Sequence, residues 1–314
     1  MVILMKKYIL LIILLMFFLF PASAVSVRWS PYITIHDNGS VEGLIQVEIA
    51  NIESPVEGFS IFVPSTEVTI LSDFLHSASF TGLSIEKVLT SNGTNLIVHF
   101  NRSADKTWNG RIGYLAKNMV QKTGRNYIFI TTLKSPKILT TKGSEKPVSE
   151  EIKMQIFLPK SIMLDSATPT PWQVLYQFEH IVPTWISLSS GDTIQIRGSY
   201  SETLHKIVIA SEEIKSLEEE IKHAEVEGHN LEIAKQYLQN ADDYNNKLAV
   251  SEFLNGKISN ADMYAQNALD AIAHAKNYLN ASSSSTSNAK SPMFSGLLTL
   301  IIIVILMKFI KKKK

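Results

Sequence analysis

The chain has 314 residues, 30 Lys and Arg against 29 Asp and Glu, and no cysteine. Without thiols it can hold no disulfide framework, thiol nucleophile, iron–sulfur cluster or cysteine-based zinc site. The formal charge of +1 hides an asymmetry: two basic residues lie in the first 24 positions and five in the last 22, which leaves 23 basic against 29 acidic residues between them, a net −6. That balance argues against a nucleic-acid partner, which needs a basic footprint.

Residues 1–24 read as a secretory signal peptide. Lys6 and Lys7 lead into an apolar run from Tyr8 to Phe20. Pro21 then breaks the helix, and Ala22-Ser23-Ala24 gives small residues for cleavage after Ala24. The run is short for a membrane span of ~20 residues.

From residue 25 to about 200 the pattern is β. Ile45, Val47 and Ile49 alternate with Gln46 and Glu48, and Leu96, Val98 and Phe100 alternate with Ile97 and His99. Ile152, Met154, Ile156 and Leu158 do the same. Period-two runs of this kind are half-buried strands. Asp37-Asn38-Gly39, Asn92-Gly93 and Asn109-Gly110 are hairpin-turn signals, and Gly124, Gly143 and Gly191 mark further turns. Ile61-Phe62-Val63-Pro64 is echoed by Ile156-Phe157-Leu158-Pro159 at a spacing of 95 residues, close to one sandwich domain. The expectation is a mostly β head of two tandem antiparallel β-sandwiches, 25–142 and 143–210.

After Ser211 the period changes to three and four. Ile214, Leu217, Ile221 and Ala224 begin it, and Leu231, Ala234, Leu238 and Ala241 carry it toward Leu248. Ile258, Ala261, Ala265, Ala268, Ile272, Ala275 and Leu279 complete a heptad seam, with breaks at Gly228 and Gly256. Residues 211–280 are therefore expected as a short helix and an α-helical hairpin, a coiled-coil stalk that can also pair copies of the chain. Residues 281–292 hold six serines, one threonine and a closing proline, and read as a flexible tether. Residues 293–310 are expected to form one C-terminal transmembrane helix, with Lys308 snorkelling to the headgroups. The tail 311–314, Lys311, Lys312, Lys313 and Lys314, is a positive-inside stop. The expected location is the cell membrane, with the bulk of the chain extracytoplasmic and the C-terminus cytoplasmic.

Catalytic and cofactor signatures are missing. The eight histidines never take the His-x-x-x-His spacing that sets two zinc ligands on one helix face. Glu218-Glu219-Glu220 and Asp242-Asp243 lack the alternating oxygens and glycine of a calcium loop and read as solvated faces. There is no nucleophile elbow and no phosphate loop, and Ser189-Ser190-Gly191-Asp192 reads as a turn. No catalytic, cofactor-binding or metal residue is assigned, and no cofactor is expected.

Two residue groups stay open as binding candidates. Trp29, Trp108, Trp172 and Trp185, with Tyr176 and Phe178, lie in or beside strands, as core or as platforms that stack on sugar rings. Tyr237, Tyr244, Tyr264 and Tyr278 flank the helical seams, as core cover or as a partner groove. Asn38, Asn92, Asn101 and Asn280 each open an Asn-x-Ser/Thr triplet and are the glycosylation candidates.

The order of parts resembles the membrane-anchoring stalk subunits of archaeal surface layers, although those have longer coiled coils and more sandwiches. That resemblance implies a non-enzymatic envelope glycoprotein that projects a β head to bind a surface-layer protein, another surface protein or a glycan. A looser resemblance is to ribophorin-like type I subunits of oligosaccharyltransferase, which implies an accessory role in a glycosylation or translocation complex. A surface hydrolase is the third reading.

Overall fold

A computed structural model describes residues 25–288 apart from 53, 78–81, 105, 148 and 227–230. The chain divides into two compact units, the first ending at Ser201 and the second beginning at Glu202.

The first unit contains sixteen described strands in three sheets. In chain order they are β1 (Ser26–Ile35), β2 (Val41–Ala50), β3 (Val56–Val63), β4 (Val68–Ser77), β5 (Leu83–Thr90), β6 (Gly93–Ala104), β7 (Trp108–Ala116) and β8 (Val120–Thr123). There follow β9 (Asn126–Thr132), β10 (Lys137–Thr140), β11 (Gly143–Glu145), β12 (Ser149–Phe157), β13 (Ile162–Thr168), β14 (Gln173–Gln177), β15 (His180–Leu188) and β16 (Thr193–Tyr200). A seven-stranded sheet runs β14-β15-β12-β1-β2-β7-β4, a five-stranded sheet β11-β10-β3-β6-β5, and a four-stranded sheet β13-β16-β9-β8.

The alternating runs lie where their period demands. Ile45, Val47 and Ile49 of β2, Leu96 and Val98 of β6, and Ile152, Met154 and Ile156 of β12 are all buried. The core between the five- and seven-stranded sheets centres on Trp108. Its ring stacks on Phe100 at 4.5 Å between centroids and 18° between planes, and Phe59 packs at 5.3 Å. The backbones approach so closely here that a Cβ on Gly58 would lie 2.0 Å from the Val98 carbonyl oxygen.

The expectation of tandem antiparallel sandwiches is corrected. Strand β12, read as the opening of a second sandwich, pairs in parallel with β1 inside the same sheet, from Ser26↔Ser149 to Thr34↔Phe157. The tetrapeptide echo marks no repeated domain either. Its first copy ends β3 in the five-stranded sheet, and its second leaves β12 in the seven-stranded sheet. Period two says that a segment is a strand with one buried face; it does not say which strand lies beside it. Asn109-Gly110 is also not a turn. Both residues sit within β7, paired with Glu48 and Val47. The other turn signals are turns, with Gly39, Gly124, Gly143 and Gly191 at positive φ.

The second unit is a three-helix packing, which corrects the expected coiled-coil hairpin stalk. Helix α1 (Glu202–Val226) is not a short lead-in. Leu204, Ile207, Ile214, Leu217 and Ile221 bury one long face of it. Helix α2 comprises Glu232–Asp242, a π-helical stretch Asp243–Ala249 and Val250–Leu254. Helix α3 (Ile258–Asn288) includes the first eight residues of the serine-rich segment. The alanine seam Ala261, Ala265, Ala268, Ala275 is buried, and its core contains residues of both other helices. Alanine lets backbones come close, and a third helix fills the other side of the seam, so the heptad does not mark a two-stranded coil.

The transmembrane helix of the expected fold is likewise not shown: among the described residues no helix is long and apolar enough to cross a membrane. The expected span 293–310, with Lys308, Lys311, Lys312, Lys313 and Lys314, and the cleavage position Ala24 lie outside the described residues.

Candidate functional site

The aromatics divide cleanly. Trp29, Trp108 and Trp185 are buried. The Trp29 indole donates to Glu150 Oε1 at 2.6 Å, and the Trp185 indole donates to the Pro169 carbonyl at 2.9 Å, so two of these polar edges are paired at the margin of the core. Trp172 and Phe178 behave oppositely, with 63% and 76% of their surface in water. Both belong to the hairpin formed by β14 and β15, and β14 is the edge strand of the seven-stranded sheet.

This hairpin is built with unusual residues. Gln177 pairs with His180, so the loop is the two residues Phe178 and Glu179, at φ 52° and 63°. A two-residue turn with both residues left-handed matches the right-handed twist of the strands, and Asn-Gly is the sequence that adopts it cheaply. A phenylalanine or glutamate there costs on the order of 1 kcal/mol each. The neighbours hold the conformation. His180 Nδ1 donates to the Leu158 carbonyl at 2.5 Å, which places the ring proton on Nδ1. Phe157 meets the His180 ring edge-on at 6.1 Å. Leu158 N donates to the Ile181 carbonyl at 3.0 Å. Glu179 turns back to Lys160 at 3.7 Å, its side chain only 12% exposed. Glu179, His180 and Ile181 are tied to segment 157–160, whereas the Phe178 ring projects into solvent. Trp172, at the other end of β14, is placed by its backbone N–H, which donates to the Thr184 carbonyl at 2.9 Å.

The arrangement sets two large aromatic side chains in solvent on hydrogen-bonded backbone. Large aromatics on a fixed backbone give area at little cost in side-chain entropy, and such residues dominate protein interfaces. Among the described residues no three His, Asp or Glu side chains are placed to share a metal ion.

The glycosylation candidates are scattered. Asn38 is exposed in the β1–β2 turn, and its Oδ1 accepts from Ser40 N at 2.9 Å and Ser40 Oγ at 2.7 Å. Asn92 is exposed in the β5–β6 turn, but Thr94 of its triplet is buried and donates to the Ser65 carbonyl at 2.7 Å. Asn101 lies within β6, which runs on to Ala104, and its amide abuts Gly82. Asn280 is exposed on α3 beside Glu219, Glu220 and His223 of α1. The helical tyrosines stack in pairs, Tyr237 on Tyr278 at 5.7 Å and Tyr244 on Tyr264 at 6.4 Å, with His274 on Tyr237 at 5.2 Å. Tyr237 and Tyr244 pack against the helical core, and Tyr278 is partly in water.

Sequence reasoning named Trp172 and Phe178 only as members of a mixed set. A signal that could have separated them is local: Trp172 follows Pro169-Thr170-Pro171, and Phe178 sits between Gln177 and Glu179, so neither lies in a run with a buried period.

No protein-family model matches the chain, and no curated protein sequence matches it. Among solved structures, an M1 zinc metallopeptidase from Deinococcus radiodurans has a TM-score of 0.32 at 9% identity, over 56% of this chain and 42% of its own. Leukotriene A4 hydrolase from Saccharomyces cerevisiae gives 0.36 at 8%, over 57% and 30%. A non-cellulosomal cohesin from Archaeoglobus fulgidus gives 0.27 at 11%, over 42% and 91%. The chain spans less than half of either enzyme. At these scores the likenesses assign neither an activity nor a site.

Proposed function

We propose that the chain is a non-enzymatic, membrane-associated protein of the cell envelope, exposed outside the cytoplasm, whose β unit recognises a surface-protein partner through the β14–β15 hairpin. The observation that carries the reading is Phe178: a ring 76% exposed at the tip of a turn held in a backbone conformation that costs free energy. Strain is retained where it presents something, and here it presents a large apolar side chain, with a second one, Trp172, at the other end of β14. The leader-like residues 1–24 and the apolar, lysine-ended residues 293–314 support the location.

The test is affinity purification of the tagged full chain from native membranes in mild detergent, with mass spectrometry. The reading expects one abundant surface protein to come with the wild type and not with the Trp172→Ala/Phe178→Asn variant. Multi-span subunits in fixed ratio would overturn it in favour of an accessory subunit of a membrane enzyme complex.

A further inference from the structure

A second surface lies on the five-stranded sheet. Phe59, Leu96 and Val98 point into the core, so Ser60, Phe62, Asn95 and Ile97 stand on the opposite face, with Phe62 paired to Asn95 and Ser60 to Ile97. On this face lies a hollow of about 480 Å³. Its floor is apolar, from Phe62, Ile97, Val88 and Leu139. The rest of the lining is neutral and polar, with the Asn92 and Asn95 amides and several serine hydroxyls. Lys134 and Lys137 supply the only formal charges in the lining. The Lys134 ammonium sits 3.4 Å from the centre of the Phe62 ring, a cation–π contact that holds it over the floor. Neither lysine has a carboxylate within ion-pair distance among the described residues. Two acids lie close by, each already engaged: Glu150 Oε2 accepts from Ser135 Oγ of the lining at 2.5 Å, and Glu86, opposite Ile97, is 3.6 Å from His99.

We propose that this hollow binds an acidic saccharide. Two ammonium groups without a carboxylate partner among the described residues, on a chain whose middle is net acidic, match a carboxylate or sulfate. Amides and hydroxyls both donate and accept, as sugar hydroxyls require. The apolar side chains of Val88, Ile97 and Leu139 offer contact to the C–H face of a sugar ring, beside the Phe62 ring that Lys134 covers. An acidic peptide fits less well, because peptides bind sheets by adding a strand at an edge. This floor is a sheet face, and β3, β6 and β10, which carry Phe62, Ile97 and Leu139, are already paired on both sides.

The test uses the purified full chain on an array of uronate, sialate and sulfated oligosaccharides with neutral counterparts, and titration with hexaglutamate and inorganic phosphate. The expected result is binding of at least one acidic oligosaccharide about tenfold or more tighter than its neutral counterpart, hexaglutamate or phosphate. Lys134→Ala/Lys137→Ala should weaken it about tenfold or more without changing the melting temperature, and raised salt should weaken it in the wild type. Three results overturn the proposal: no acidic saccharide bound, hexaglutamate or phosphate bound as tightly, or unchanged affinity in the double variant. The site is independent of the hairpin. Trp172→Ala/Phe178→Asn should leave saccharide binding intact, and the lysine variant should leave partner capture intact.

Discussion

Arg28 of β1 and Glu151 of β12 face each other across a parallel strand pair, with Nε donating to Oε2 at 2.7 Å. The same guanidinium donates from Nη1 to Glu48 of β2 at 3.0 Å. One side chain therefore marks the register of β1 against both neighbours, residues 20 and 123 positions away.

This contact predicts a pH dependence. The Arg28 guanidinium, and behind it the Lys153 ammonium, hold the Glu151 carboxyl below its ordinary range. A depressed carboxylate contributes stability above its unfolded value of about 4.3, and loses it as pH falls through the lower folded value. Glu151→Gln should therefore melt below the wild type at pH 7, and the gap should close on acidification toward pH 3. Melting curves across that window check it. A gap that does not change with pH would contradict the pairing. All three partners are solvent-exposed, so the effect should be small and should shrink in high salt.

Gly58→Ala tests the closeness of β3 and β6. The added methyl would meet the Val98 carbonyl at 2.0 Å and the His99 Cα at 3.3 Å, backbone atoms that cannot swing aside. The expected loss is about 2 kcal/mol, read from urea unfolding. Gly124→Ala is not an equal control, because Gly124 has φ 61°. Trp108→Ala in the same core should cost ~3–5 kcal/mol.

Ala268→Glu places a carboxylate in the helical seam, at a position with no exposed surface. An unpaired buried charge should cost several kcal/mol, about 3 or more. Helical circular dichroism during thermal unfolding should show an earlier transition. An unchanged transition would mean that Ala268 faces water.

Phe178→Asn separates presentation from folding. Asparagine adopts the left-handed turn more cheaply than phenylalanine, so the variant should be as stable as the wild type or more stable by up to about 1 kcal/mol. Partner capture should nevertheless fall. A destabilised variant would show that the ring supports the hairpin instead of serving a contact.

Sequence periodicity located the strands and most of the seam residues, because burial on one face leaves a direct trace; Ile258, read as the start of the α3 seam, is 42% exposed. It could not locate partners. Nothing in Ile152, Met154 and Ile156 says that β1, over a hundred residues earlier, lies alongside in parallel. Asn109-Gly110 read as a turn because the dipeptide favours one, yet β2 and β4 flank it on both sides and the sheet overrides local preference. In α2 the rhythm running from Ala241 through position 245 pointed to Leu248; Asn245 is buried as that spacing requires, but Leu248 is 39% exposed and Ala249 is buried in its place. The π-helical stretch inserts an extra residue into the turn and moves the buried face on by one. Asn245 is drawn inward by its own hydrogen bonds, to the Ile207 carbonyl at 3.0 Å and Ser211 Oγ at 2.8 Å. The hairpin tip was illegible for a related reason. Its turn uses Phe-Glu in place of the residues that announce such a turn, and its shape is held by His180, Lys160 and Leu158.

The most direct test of the central claim is quantitative. Wild-type and Trp172→Ala/Phe178→Asn full-length protein would be purified from native membranes at equal expression, and the amount of co-purified surface protein compared by mass spectrometry, with melting temperature measured alongside. The account predicts an abundant partner with the wild type, reduced about tenfold or more in the variant, at an unchanged or higher melting temperature. The same partner recovered in equal yield from both proteins would contradict it.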